Sequence, residues 1–598
     1  MKKKTSLALL VLAPLALLAC GKASDPTVFT VCIASAPDSI DPALNTTVDG
    51  GTYDEHLFEG LYRWSYTGSY PDGAVELVPG LAKEAPVEVA NADGTVTLTY
   101  ALRDGLKWSD GSALTAGDIV RSWKRAVSGG TGGLGADYAY LFEAIVGGAD
   151  AESEADGASL SVEATGDTTL VVDLVTPISY WNELTAFPAF APVPSSADNG
   201  GEWATPAQVG NFVCNGPMTI KAYDTTKLEL VPNEYYHDTS IVKATDITFA
   251  FSDDSASMYN SYKSGSYSFI DDFPITLIDD LKTSLPAEYF NVGQLGTYYT
   301  CWNVDSTVFD AKLTTEAKKA DFRHALTLLI NRQYIIDNVS KGGQTPADGF
   351  VSKGLTEADG STDWTAKNGP SQDGSGWYDA SEAAYTANVA EAVTLLKGCG
   401  FTYDESTKKF TDIPSFEYIY NTSDAHKAIA ETIQAEYATL GITMTLQNSE
   451  WASFVSTRKS GDYTYARNGW LCDYNDPISM LDMWTSQSGN NDVQLGKGAN
   501  ASYAGYEADL DGDGTISANE KNLTWAQSFD TLIATIKSTS DNVLRFKLMH
   551  AAETELMSTW ALCPIYNYTD LFLKKEGMTG YFGMPLGYKF FYGATVAR

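Results

Sequence analysis

Two periodicities alternate along the 598 residues. Segments such as Thr95-Val96-Thr97-Leu98-Thr99-Tyr100 and Lys227-Leu228-Glu229-Leu230-Val231 place apolar side chains at every second position, the pattern of strands with one buried face. Others, from Ala320 to Val339, Ala387 to Lys397 and Ala425 to Leu440, repeat apolar residues every three or four positions and end near glycine or polar clusters, which predicts helices. The period switches back and forth without an internal repeat, so α/β lobes, and more than one domain, are expected.

Between the periodic segments lie two runs of punctuation, Ser128 to Gly135 and Gly354 to Trp377, both read as surface loops. The first contains Gly130-x-Gly132-x-x-Gly135, formally a dinucleotide fingerprint. It follows a helical segment, Ile119 to Val127, where a nucleotide site needs a strand, so the spacing is read as a turn and not as a phosphate cradle.

The N-terminus breaks the alternation. Lys2, Lys3 and Lys4 precede an apolar run from Leu7 to Leu18, too short to span a bilayer permanently, and small Ala19 precedes Cys20. Leu17-Leu18-Ala19-Cys20 resembles a bacterial lipobox. Residues 1–19 would then be a signal peptide, Cys20 the lipidated first residue of the mature chain, and 20–27 a polar tether. No later stretch is apolar for long enough to form a membrane-spanning helix.

Charge narrows the partners. With 76 acidic against 40 basic residues, a formal net charge of −36, the chain is a poor match for the phosphates of nucleic acid and suits a soluble, exposed setting. The cysteines after Cys20 show no zinc-type spacing. Catalytic patterns are also missing: there is no G-x-S-x-G, no H-E-x-x-H, and the five histidines are scattered. A binding protein is therefore expected, not an enzyme.

One motif carries its own chemistry. Asp509-Leu510-Asp511-Gly512-Asp513-Gly514-Thr515-Ile516-Ser517-Ala518-Asn519-Glu520 has the spacing of an EF-hand loop. Oxygen ligands fall at Asp509, Asp511, Asp513, Thr515 (through its carbonyl), Ser517 and Glu520, with glycine at the sixth position and an apolar residue at the eighth. Calcium is the expected cofactor, in a structural role.

Several blocks, spread over most of the chain and in order, resemble the extracellular solute-binding proteins of family 5, oligopeptide-binding branch. They include Ser39-Ile40-Asp41-Pro42, Leu102-Arg103-Asp104-Gly105-Leu106-Lys107-Trp108-Ser109-Asp110-Gly111, Asn215-Gly216-Pro217, and Phe322-Arg323-His324-Ala325-Leu326 running on to Asn331-Arg332, where the family usually has Asp before Arg. The most specific are late: Asn421 to Lys427, Glu450-Trp451, and Ala466-Arg467-Asn468-Gly469-Trp470-Leu471-Cys472-Asp473-Tyr474-Asn475-Asp476-Pro477.

The resemblance implies an α/β, two-lobed periplasmic-binding-protein-like fold (type II) with an extra domain on lobe I. Chain order would be lobe I (28–58), extra domain (59–205), lobe I again (206–295), lobe II (296–565, with the EF-hand-like loop in an insertion at about 490–526, away from the ligand) and a return to lobe I (566–598). It implies a lipid-anchored monomer at the cell surface or in the periplasm of a bacterium, capturing oligopeptides for an ABC permease. A dipeptide, a sugar or a metal chelate is the alternative ligand.

Site roles follow from the same resemblance. Asp473 would pair with the peptide ammonium. Arg467 to Asp473 would lie extended beside the ligand, with Gly469 and Leu471 offering backbone groups, and Val48 doing so from the other lobe, although Thr46 replaces a Glu common nearby. Trp451 and Trp470 would wall side-chain pockets, Arg467 and His426 would meet the peptide carboxylate, and Tyr138, Tyr298, Tyr299 and Tyr566 match looser positions. Relatives often carry a disulfide at the positions of Gly296 and Leu471. Cys301 and Cys472, each displaced by an odd number of residues, would form a shifted version.

Overall fold

An eleven-stranded sheet runs through the computed structural model, which describes residues 25–597 apart from Ser35 and Asp38. The signal segment, Cys20 and most of the tether fall outside the described residues. One end of the sheet is built by Met218–Tyr223, Lys227–Pro232, Asp246–Phe251, Val28–Ala34 and Phe269–Ile270, and the other by Tyr465–Leu471, Phe416–Asn421 and Met444–Ser449. Two long strands, Tyr289–Trp302 and Leu562–Lys574, join the ends. The alternating segments predicted from sequence are strands here, Val96–Ala101 and Lys227–Pro232.

The two crossing strands mark the lobe boundary. Their pairing runs from Tyr289↔Leu573 to Gly293↔Thr569, breaks over residues 294–296, and resumes from Thr297↔Asn567 to Cys301↔Leu562. Within the break, Leu295 bonds to both sides: its N–H donates to Pro585 at 2.9 Å and its carbonyl accepts from Cys472 at 2.8 Å. Gly296 is required there, because a Cβ would sit 2.4 Å from the Trp470 carbonyl oxygen. An interrupted ladder in otherwise continuous strands is where a hinge costs least. The expected boundary at 295/296 falls in the break. The one at 565/566 falls two residues early, since Tyr566 and Asn567 still pair within the lobe II half.

Within residues 59–205 a separate small sheet is appended to the large one. Its four strands are ordered Val87–Ala90, Val96–Ala101, Thr169–Leu174, Val162–Gly166, and the helix Ala116–Val127 packs beside it with Trp123 against Phe190 and Trp181. The glycine-rich stretch after that helix is a turn, as its sequence context required. A buried ion pair, Arg125 to Asp41 at 2.6 Å, fastens the domain to lobe I.

Three expectations need correction. The helix read over Ala320 to Val339 is two pieces: Glu316–Leu328 ends, and Asn331 starts the next turn by accepting from the Tyr334 N–H at 3.0 Å. Asn331 thus caps, which a period count cannot see. The Cys301–Cys472 bridge is absent, both thiols being free and buried. Gly296 does face Leu471, but antiparallel pairing advances the two strands in opposite directions, so Cys301 faces Ala466. Cys472 is then six residues further along, about 20 Å at the usual rise per residue, far beyond disulfide reach. The insertion, expected to lie away from the ligand, is the third: Asn490 and Asp492 line the interlobe cavity.

Candidate functional site

The lobes and the appended domain enclose a cavity of about 380 Å³. The strand Tyr465–Leu471 forms one wall. It pairs on one edge with Tyr289–Trp302, while on the other edge Phe416–Asn421 pairs only as far as Ala466. The backbone of residues 467–471 therefore has no strand partner on the cavity side among the described residues. A free edge of this kind adds an extended chain through main-chain hydrogen bonds, whatever its side chains.

Asp473 stands just past the end of that edge, 6 % exposed. Its N–H donates to Ser479 Oγ at 2.8 Å, and the Tyr138 hydroxyl donates to its Oδ1 at 3.1 Å. Oδ2 is buried without a partner among the described residues. Burial, and then the neighbouring Asp482 carboxylate, push the Asp473 pKa well above the ordinary range. A buried carboxylate in this condition can be completed by a cation, and among the described residues no side-chain cation pairs with it.

The carboxylate is aimed by a chain of supports. Ser479 lies in the turn Pro477–Met480, opened by Asp476, whose side chain accepts from the Ile478 N–H. Asp476 is gripped by both terminal nitrogens of Arg545, at 2.9 and 2.7 Å. The same turn accepts the Trp470 indole N–H at the Ser479 carbonyl, 2.8 Å away. Tyr138, packed on Phe187 from the appended domain, closes the wall over Trp470.

At the opposite end of the edge, Arg467 donates to the Tyr568 hydroxyl at 3.0 Å and lies over the Tyr298 ring, leaving its Nε unpartnered among the described residues. Gly469 makes room for this arrangement: a Cβ there would fall 2.1 Å from the Tyr568 hydroxyl. His426, in the first turn of the helix Asp424–Thr439, is within 3.3 Å of the Tyr298 hydroxyl. Burial, and secondarily Arg467, hold its pKa well below the usual histidine value.

Nine of the twelve residues proposed for the ligand line the cavity: Asp473, Arg467, Gly469, Trp470, Leu471, Trp451, His426, Val48 and Tyr138. Tyr298 and Tyr566 do not; they stack on each other behind Arg467 and His426 and support them. Tyr299 points to the other face of the sheet, against Phe350 and Trp484, because neighbours on a strand alternate sides. Sequence reasoning missed Tyr568 and Tyr588, which line the cavity from the second crossing strand and the C-terminal return, and also Arg458 and Asp492. The insertion is not wholly remote: its first residues, Asn490 and Asp492, reach the cavity wall.

The acidic loop lies elsewhere in lobe II. Carboxylate oxygens of Asp509, Asp511 and Glu520 lie within 4.8 Å of one another. The backbone turns through Gly512, the fourth position, at φ +70°, where a side chain would collide with Leu544 on the helix Asn542–Ser558, and through Gly514, the sixth position, at φ +88°. Asp513 and Ser517 are in the loop but outside the converging set, with the Asp513 carboxylate accepting from the Thr515 N–H at 2.7 Å. The donors that converge, at positions one, three and twelve, are hard oxygens of the kind calcium takes, so this part of the loop fits the ion.

The profile of the bacterial extracellular solute-binding proteins, family 5, matches residues 76–492. The chain is 28% identical to the oligopeptide-binding protein OppA of Bacillus subtilis, covering 97% of each. It is 30% identical to the periplasmic OppA of Salmonella typhimurium over 92% of this chain and 88% of that one. In three dimensions it is similar to Haemophilus influenzae OppA in complex with the peptide RPPGFSPFR, with a TM-score of 0.77 at 25% identity, covering 96% of this chain and 99% of that chain. The two lobes, the crossing strands and the profile agree, and the chain belongs to the bacterial extracellular solute-binding proteins of family 5.

Proposed function

We propose that this protein captures extracellular oligopeptides in the interlobe cleft and delivers them to the permease of an ABC importer. The observation that carries the reading is the unpartnered, buried oxygen of Asp473 at the end of a free strand edge. An ammonium answers the first and a run of backbone amides answers the second. Sugars and metal chelates offer neither, and a dipeptide leaves most of the edge unfilled. The names of the relatives, oligopeptide-binding proteins, point the same way.

The test is calorimetric titration of the purified protein with an alanine-rich tetrapeptide and its N-acetylated twin. The free peptide should bind and the blocked one should not; equal binding of the two removes the ammonium reading. The pH dependence has a definite sign. Protons compete with the ammonium for Asp473, so affinity rises with pH through the raised pKa of the empty site, and falls again above about 8 as the peptide amine loses its charge.

Two further features complete the proposal. The protein is anchored as a monomer by acyl chains on Cys20, in the periplasm or on the cell surface. Detergent phase partitioning should follow the lipid, and Cys20→Ser should shift the protein to the aqueous phase; a variant that still partitions with detergent removes the anchor. Calcium is held by the loop from Asp509 to Glu520, in the range of about 10⁻⁴ to 10⁻³ M typical of extracellular modules. Calorimetry should register calcium heat that Glu520→Gln abolishes, with peptide affinity unchanged, and no heat from the native protein ends the idea.

A further inference from the structure

On the helix Trp451–Lys459, Trp451, Val455, Arg458 and Lys459 turn one face to the cavity, with Asn468 and Asp492 also on the wall. Arg458 and Asp492 are 8 % and 4 % exposed. Arg458 Nε and Asn468 Nδ2 both donate to Asp492 Oδ2, at 2.7 and 3.0 Å. Asp492 Oδ1, Arg458 Nη1 and Trp451 Nε1 are buried without partners among the described residues, as is Asn490 Nδ2 beside Lys459. Lys459 is already engaged, with Asp137 Oδ2 and Asn490 Oδ1 each at 2.8 Å.

The charges in this corner cancel: Arg458 and Lys459 are positive, Asp492 and Asp137 negative. A cationic ligand side chain would gain Asp492 but meet both cations, and an anionic one would do the reverse. An aliphatic side chain would leave the polar atoms unpaired in a closed cleft, and buried groups without partners are costly. The set needs two lone pairs for the donors Trp451 Nε1 and Arg458 Nη1, and one N–H for the acceptor Asp492 Oδ1. A primary carboxamide supplies these while remaining uncharged.

Resting on the peptide reading above, we propose that the corner formed by Trp451, Val455, Arg458 and Asp492 is a side-chain subsite selecting glutamine or asparagine at one position of the bound peptide. Trp451 and Val455 flank the methylene stem, and the polar base reads the amide.

The experiment is calorimetry with alanine-background tetrapeptides carrying Gln, Glu, Lys or Met at each position in turn, each with its N-acetylated twin. At one position Gln should bind at least about tenfold more tightly than Glu, Lys or Met, a preference the other positions lack. Asp492→Asn makes the corner net positive and should move the preference from Gln toward Glu. Trp451→Phe removes one donor with little change of shape and should narrow the Gln-to-Met gap several-fold, so the test stands even where Asp492→Asn folds poorly. A flat profile across all positions, with acetylation still blocking binding, overturns the subsite and leaves the ammonium site intact. No binding by any peptide overturns both.

Discussion

Asp473→Asn should weaken binding of a free tetrapeptide by about thirtyfold or more, a loss of roughly 2 to 5 kcal/mol. The substitution preserves shape and the Tyr138 contact while removing the charge that the ammonium needs. Acetylating the peptide should cost the native protein a comparable amount. Combining both changes should cost much less than their sum, since each deletes the same interaction. Additive losses would show that the ammonium binds elsewhere and that Asp473 acts only on the shape of the wall. The effect should be large because the site is buried: a paired charge that loses its partner in a closed cleft has no water to turn to.

The second large effect is expected some way from the ligand. Arg545→Met should lower the stability of lobe II by about 3 to 5 kcal/mol, because it strands the Asp476 carboxylate in a buried position. Urea melts should show it as a lower midpoint, and peptide affinity should fall as well, since Asp476 opens the turn that supplies Ser479 to the Asp473 backbone. Adding Asp476→Asn to Arg545→Met should restore much of the stability by removing the unpaired charge. If the double variant is as unstable as the single one, the loss arises from packing of Arg545 on Tyr180 and Phe546 and not from charge.

What could be read from the sequence divides along physical lines. Alternation and helical spacing located strands and helices because burial imposes those periods locally, and the segment from Arg467 to Asp473 was legible because its motif is continuous. Tyr568, Tyr588, Arg458 and Asp492 were not, because each reaches the cavity from a different part of the chain and only the sheet brings them together. Tyr299 was misplaced for a related reason: a matched segment transfers register, yet adjacent strand residues point to opposite faces, so Tyr298 backs the residues that line the cavity and Tyr299 lies on the far side of the sheet. The disulfide failed on the geometry of antiparallel strands, where parity of displacement is insufficient and the sum of paired positions must be constant. Asn331 shows the limit of period counting, since one capping side chain ends a helix within an unbroken apolar rhythm.

The free edge beside residues 467–471 has a consequence for solubility. Unpaired strand edges are the usual template for aggregation between chains, and secreted proteins at high local density are the most exposed to it. Here the edge is recessed between lobes and roofed by Tyr138 and Phe187, so a folded neighbour cannot dock on it while a thin, single peptide can. The depth of the cleft thus acts as a size filter, separating nutrient from self.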